Sequence, residues 1–323
     1  MALIRYAHAI NQALSDAMSA DETVIVLGED VAQAGGSFKV TRGLVEIFGA
    51  NRVIDTPISE STIVSASVGA AMSGLRPVVE IMFMDFMTLA MDAVVNQAAK
   101  ARFMFGGRTS VPMVVRTPHG GGLSAGPQHS QCLEAWFAHV PGLKVVCPSS
   151  PQDAYSLLRS SIEDSDPVIF IEHKGLYANR GEVDTALKVP IGIAKVLREG
   201  RDATVVTYGA TVAVCLAAAE KLSRDGVEVE VIDLRSLQPW DERAVFQSIA
   251  KTHRVVVVHE AVQAFGIGAE IAARIGEDAF DELDAPVIRV GAPFMPVPFS
   301  SELEKRYAVN AESVIRGLRK VLA

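Results

Sequence analysis

The chain has 323 residues, of which 49% are hydrophobic and 21% charged, and its formal net charge is -8. Such a composition excludes a disordered chain, and an acidic balance excludes nonspecific nucleic-acid binding, which needs a basic surface. The length predicts two domains, each able to bury its own core.

The three cysteines, Cys132, Cys147 and Cys215, are odd in number and lack zinc spacing, which predicts reduced thiols in a cytoplasmic protein. The start, Met1 to Tyr6, carries no signal-peptide pattern, and no apolar run is long enough to span a bilayer. In chain order, Tyr6, Ala9, Ile10, Ala13, Leu14, Ala17 and Met18 follow helical spacing. The apolar run Val24–Leu27 predicts a strand ending in Gly28-Glu29-Asp30, and a glycine-bearing loop over Gln33–Lys39 leads to a helix at Leu44–Phe48. Arg52–Asp55 reads as a strand, and Ser59 stands where it can cap a helix that runs to about Ala71. Pro77–Ile81 predicts a strand and Met87–Lys100 a largely buried helix. Strands at Met113–Val115, Leu143–Val146 and Val168–Ile171 alternate with a helix at Ala154–Ile162. These strands are continuous apolar runs, the pattern of a parallel sheet covered on both faces.

His173–Pro190 breaks the pattern and reads as a linker. A second, smaller βα series follows, with strands at Thr204–Thr207, Val227–Ile232, Val255–Val258 and Val287–Val290. Helices at Thr211–Leu222, Asp241–Ala250 and Gly268–Ile275 alternate with them, and closing helices begin at Ser300. The fold class is therefore α/β, with two parallel-sheet domains.

Two loops stand out. The segment Arg116–Gln131 packs glycines, two prolines and the histidines His119 and His129 directly after an apolar strand. Asp55-Thr56-Pro57-Ile58-Ser59-Glu60 has the same strand-to-loop-to-helix setting. Loops at the ends of sheet strands are where α/β proteins bind ligands, so the pair points to one active site built from a carboxylate and a histidine.

Five segments occur in order: Gly28–Val31, Asp55–Glu60, Gln128–Gln131, Pro141–Val146 and Asp233–Pro239. Together they resemble the β subunit of the thiamine-diphosphate-dependent decarboxylating component of 2-oxo acid dehydrogenase complexes. That family includes pyruvate, branched-chain 2-oxo acid and acetoin dehydrogenases, and the resemblance runs from Leu3 to Val321. It implies a pyrimidine-binding α/β domain over residues 1–180, a linker over 181–192 and a transketolase-type C-terminal domain over 193–323.

On spacing alone Glu60 reads as an ordinary carboxylate in a first helical turn. The resemblance makes it the group that hydrogen-bonds the pyrimidine ring nitrogen of the cofactor, a role that burial and a raised pKa would suit. His129 matches the histidine that stabilises charge and relays protons during acyl transfer to the lipoyl group, and on its setting alone it reads as a loop histidine hydrogen-bonded to backbone. His119 reads as a substrate contact or as a structural loop residue. Phe86 matches the aromatic that stacks on the aminopyrimidine, and Ile58 and Met82 match its neighbours in the pocket wall; each of the three also reads as an ordinary core residue. Glu29 matches a carboxylate facing the site from another strand end; the resemblance offers it and Asp92 as members of a proton relay, and each reads equally as a surface or helix-face charge. Asp164 and Asp166 lie where some relatives place a structural potassium ion, and they also read as caps of the turn before Val168.

No Gly-Asp-Gly segment followed by a paired asparagine is present; Arg224-Asp225-Gly226 lacks both the first glycine and the asparagines. The chain is thus expected to hold only the pyrimidine end of thiamine diphosphate. An α subunit would hold the diphosphate and its magnesium, in a heterotetramer of two α and two β chains with a β–β contact. The implied partners are a lipoyl domain, the core acyltransferase and a small-molecule substrate, with neither nucleic acid nor membrane. The implied activity is cleavage of acetoin, or decarboxylation of a 2-oxo acid such as pyruvate, with acyl transfer to lipoamide. The loop Pro118–His129 is nearest to acetoin-type members, then pyruvate, then branched-chain substrates. The alternatives are a non-catalytic assembly subunit docking the acyltransferase core and a transketolase-like transferase module. A ferredoxin-linked relative is disfavoured by the missing iron–sulfur cysteine set, and a nucleotide-binding domain by the missing Gly-x-Gly-x-x-Gly turn.

Overall fold

A computed structural model describes residues 2–323. The chain divides into two compact units: residues 1–119 with 136–191, and residues 120–135 with 192–323. The glycine-rich segment that bears His129 thus clusters with the second unit, although its position in the sequence lies within the first domain.

The first unit contains β1 (Ala2–Arg5), α1 (Tyr6–Ala20), β2 (Val24–Gly28), α2 (Leu44–Phe48), β3 (Val53–Asp55), α3 (Glu60–Met72) and β4 (Arg76–Glu80). It continues through α4 (Ala99–Met104), β5 (Val114–His119), α5 (Glu134–Ala138, which begins in the second unit), β6 (Lys144–Val146), α6 (Pro151–Glu163), β7 (Val168–His173) and β8 (Arg180–Val183). Its main strands run parallel in the order β6-β7-β5-β4-β2-β3. Every residue of β2, β5 and β7 is buried, as the apolar runs that open these strands predict, and the charged residues of β5 and β7 are buried with them. Tyr6, Ala9, Ile10, Ala13, Leu14, Ala17 and Met18 form the buried stripe of α1, which packs on α6. Helix α6 starts as its sequence dictates: the Ser150 hydroxyl accepts from the Asp153 N–H at 3.1 Å, and Pro151 occupies the first turn.

Three parts of this unit differ from the sequence expectation. The single helix expected over Met87–Lys100 is a 3₁₀ turn over Met84–Ala90, a π-helical stretch over Ala93–Ala98 and then α4. Apolar periodicity fixes which face is buried, but neighbouring windings share nearly the same face, so it does not choose between them. The expected linker contains β8, which pairs antiparallel with β1. β8 has no apolar run of its own, because it is stabilised by β1 rather than by a central sheet. Ser59 stands at the N-cap of α3, but its hydroxyl bonds the Thr62 side chain at 2.9 Å and makes no backbone cap.

The second unit contains β9 (Lys195–Arg198), β10 (Ala203–Thr207), α7 (Thr211–Ser223), β11 (Val229–Asp233), β12 (Ser236–Gln238), α8 (Glu242–Thr252) and β13 (Val255–Val262). It closes with α9 (Ile267–Asp278), β14 (Ile288–Ala292), α10 (Ser301–Tyr307) and α11 (Ala311–Leu322). Its sheet has the order β14-β13-β10-β11-β9, parallel except for the edge strand β9, whose half-exposed Lys-Val-Leu-Arg sequence gave no strand signal. Val205, Val231, Val256 and Val258 pack against Leu222 of α7 and Val314 and Leu318 of α11 to form the core. Among the described residues, no helix is long and apolar enough to cross a membrane.

Candidate active site

In the first unit the parallel strands end together. Gly28 pairs with Asp55 on one side and Glu80 on the other. A side chain at Gly28 would meet the Glu80 carbonyl oxygen at 2.5 Å, so only glycine lets β2 lie this close to β4. Glu29 leaves the end of β2, and Glu60 is the first residue of α3; each is 7% exposed. Burial pushes the Glu29 carboxyl up, and the charges of Glu60 and Asp30 push it further. The two sequence-predicted carboxylates are therefore brought together. Asp55 faces away from them in function: it accepts from the backbone of Ala32 at 2.7 Å and Gln33 at 3.2 Å, which fixes the loop after Glu29.

Phe86 is half-buried on the 3₁₀ turn that packs against α3. Its ring meets Phe83 edge-on at 5.7 Å; Phe83 in turn meets Phe38 at 5.8 Å, and Phe38 meets Tyr177 at 5.1 Å. The Lys174 ammonium lies 5.2 Å from the Phe83 ring centre. This aromatic row braces Phe86 from behind. Met82 is half-buried, whereas Ile58 is 82% exposed, so in the single chain Ile58 stands on the surface. Asp92 is also exposed and accepts from the Asn96 amide at 2.7 Å.

The pair proposed for potassium is occupied by protein cations. Asp164 accepts from Lys144 at 2.6 Å, Asp166 from Arg102 at 2.5 Å, and the Ile162 and Asp164 carbonyls accept from Arg76. A potassium ion would be a further positive charge among Lys144, Arg102 and Arg76, and this donor set does not fit it.

An ionic cluster beneath the strand ends escaped the sequence reading. Arg116 on β5 is fully buried and binds Glu172 through two nitrogens, at 2.7 and 2.9 Å, and Glu80 at 2.8 Å. The Tyr177 hydroxyl donates to Glu172 at 2.8 Å. Burial opposes the Arg116 charge, but Glu172 and Glu80 more than reverse that effect, and its pKa stands above the ordinary arginine value. The signal was present in the sequence: one charged residue within or at the end of each of three apolar strands. His119, at the end of β5, is buried, with its ring 5.3 Å from His173 and its Nε2 3.9 Å from Cys147 Sγ. His173 Nδ1 accepts from the Gly175 N–H at 3.0 Å.

His129 belongs to the second unit, on a loop bound by backbone donors. Gly121 N–H donates to Glu260 at 2.7 Å. Gly122 and Ser124 N–H donate to the two oxygens of Glu304 at 2.8 and 2.9 Å. Gly126, at φ +75°, lies beneath the Phe299 ring, where an added Cβ would meet a ring carbon at 2.2 Å. His129 is half-buried, and its N–H donates to the Gly126 carbonyl at 3.4 Å. Farther along, Glu134 accepts from the Tyr208 hydroxyl at 2.7 Å. The loop forms one wall of a cavity of about 390 Å³, closed by Glu260, Phe294, Met295 and Tyr307. Burial pushes the Tyr307 hydroxyl up to about 12, with Cys132 and Glu260 adding to the shift.

Residues 3–180 match the transketolase pyrimidine-binding domain, and residues 192–314 match the transketolase C-terminal domain. The chain is 46% identical to the β subunit of acetoin:2,6-dichlorophenolindophenol oxidoreductase of Bacillus subtilis, over 97% of this chain and 95% of that one. It is 44% identical to the 2-oxoisovalerate dehydrogenase β subunit of the same organism, over 99% of both. Identity to the mitochondrial pyruvate dehydrogenase E1 component subunit beta-2 of rice is 43%, over 97% of this chain and 84% of that one. A solved split-gene transketolase, an inactive β4 tetramer, matches with a TM-score of 0.83 at 21% identity over 99% of this chain and 98% of that one, which shows the shared fold. With a transketolase-type domain pair along its length and close relatives of this one kind, the chain belongs to the β-subunit family of the pyruvate, acetoin and 2-oxoisovalerate dehydrogenase components.

Proposed function

We propose that this chain is the cofactor-activating β subunit of a thiamine-diphosphate-dependent dehydrogenase component. With an α subunit it would cleave acetoin, or decarboxylate a short 2-oxo acid such as pyruvate, and pass the acyl group to lipoamide. The observation that carries the proposal is the buried Glu29–Glu60 pair at the strand ends, with the Glu29 carboxyl pushed up. Bound thiamine diphosphate supplies a nucleophilic thiazolium carbon, provided its aminopyrimidine is held in the right tautomer. A carboxylate pair of this kind fits that ring. Glu60 accepts or donates the proton at the pyrimidine nitrogen, and Glu29 holds a proton in reserve beside it. Phe86 offers its ring for stacking and Met82 a wall. Ile58, exposed in this chain, completes the wall once a partner surface covers it. His129 is assigned the charge and proton transfers of acyl delivery.

Without a diphosphate motif of its own, the chain leaves the diphosphate and magnesium to the α subunit, in an assembly of two chains of each kind. The lipoyl domain and the acyltransferase core are its further partners. All three thiols are free, consistent with the cytoplasm. Identities of 43 to 46% to relatives of three different substrate types do not choose among them. The resemblance of the loop Pro118–His129 to acetoin-type members supports acetoin as the first substrate to test and pyruvate as the second.

The test is dye reduction by this chain reconstituted with its α subunit, thiamine diphosphate and magnesium, comparing acetoin, pyruvate and a branched 2-oxo acid. Activity confined to the mixture of both chains is expected. A folded mixture inactive on all three substrates would refute the proposal.

A further inference from the structure

The segment Gly120–Gly126 is rich in glycine and has no intrinsic preference for one pose. Yet three of its N–H groups end on carboxylates carried by regular elements: Glu260 of β13 and Glu304 of α10. Glu304 is only 5% exposed and spans two donors with its two oxygens, while the Ser124 hydroxyl lies 3.4 Å from one of them. Burying a carboxylate is costly unless charge-assisted bonds compensate, and here the bonds are to backbone that a neutral acceptor or water would satisfy more cheaply. What the carboxylates add is rigidity. Gly126, seated under Phe299, marks the end of the clamped stretch, and the His129 N–H rests on its carbonyl.

We infer that Glu304, supported by Glu260, is a positioning residue for His129: its carboxylate holds residues 121–126 in the single pose that presents the imidazole for acyl transfer. This inference rests on the role proposed above for His129.

Glu304→Gln is the informative variant. Its amide keeps one acceptor oxygen and turns an NH₂ toward the other backbone donor, so one of the two bonds must break. In the enzyme reconstituted with its α subunit, two rates are compared: dye reduction and acyl transfer to an isolated lipoyl domain. The ratio of acyl transfer to dye reduction is expected to fall roughly 10- to 100-fold, the range for losing a charged hydrogen bond. Glu260→Gln, which touches only the Gly121 N–H, should lower the ratio in the same direction by less; it also serves if Glu304→Gln fails to fold. The double variant with His129→Ala should be no slower in acyl transfer than His129→Ala alone, since both act through one imidazole. Equal loss of both rates in the folded variants, no loss in either, or additivity with His129→Ala would overturn the inference. If His129→Ala itself spares acyl transfer, the role assigned to His129 fails and this inference fails with it. If His129→Ala is slow and both glutamine variants are fast, only the inference fails.

Discussion

Glu60→Gln separates catalysis from stability at one position. The substitution keeps the side-chain volume and removes the charge, so packing at the start of α3 is preserved. Glu60 is one of the charges that raise the Glu29 pKa, after burial itself. Neutralising it lets Glu29 ionise more easily in the folded protein. Burial remains the larger influence on Glu29, so the variant is expected to be no less stable than the parent at neutral pH. Activity moves in the opposite direction. An amide in place of a proton-exchanging carboxyl group should cost roughly 10²- to 10⁴-fold in turnover. The assay pairs dye reduction of the reconstituted enzyme with thermal unfolding of the isolated chain. A variant that keeps more than about a tenth of its turnover would refute the catalytic assignment. A Tm lowered by several degrees would refute the electrostatic account of the pair.

Three further perturbations test the rest of the structure. Glu29→Gln removes a group whose folded pKa lies above its unfolded value. In the parent chain, the stability contributed by the protonated Glu29 is present below its unfolded pKa and is lost as pH rises through the raised folded value. The variant should lack that decline, as thermal unfolding scanned between about pH 4.5 and 7 would reveal. Arg116→Ala leaves Glu80 and Glu172 buried without their cation and should destabilise by about 3–5 kcal/mol in urea unfolding; a loss under about 1 kcal/mol would mean the cluster is hydrated. Gly126→Ala must push the Phe299 ring aside and hold a positive φ, at a cost of about 1–3 kcal/mol, and should weaken acyl transfer more than dye reduction.

Much of the sheet architecture was legible because fully buried parallel strands write themselves as apolar runs. Val24–Leu27 and Val168–Ile171 carry that signal and lie within β2 and β7. The strands β8 and β9 carry none. β8 is Arg-Gly-Glu-Val, and its partner β1 lies some 180 residues earlier, so nothing local announces the pair. The site was legible to a different degree. Sequence motifs named Glu29 and Glu60, and the backbone explains why they meet: one leaves the end of β2, the other opens α3. The motifs did not name Glu260 or Glu304, which bind a distant loop through main-chain donors. Backbone donors leave no residue-type signature, and only the folded chain reveals which carboxylates they reach. Asp164 and Asp166 show the converse. Two nearby aspartates resemble a cation site in sequence, but Lys144 and Arg102 arrive from other elements to fill it.

The first unit treats buried carboxylates in two contrasting ways. Glu80 and Glu172 share the guanidinium of Arg116, and Tyr177 donates to Glu172 as well. Such an arrangement satisfies charge and fixes geometry, and it gives no reason for proton exchange. Glu29 and Glu60 sit beside another carboxylate, Asp30, and every influence resolved on Glu29 raises its pKa. Stability alone favours the first arrangement. A buried carboxylate whose pKa is pushed up at the ends of parallel strands is a functional-site candidate. An aminopyrimidine ring bound at this place would have a carboxyl group within reach for proton exchange. This contrast within one unit favours catalysis at Glu60 over the ordinary first-turn carboxylate that its spacing also allows.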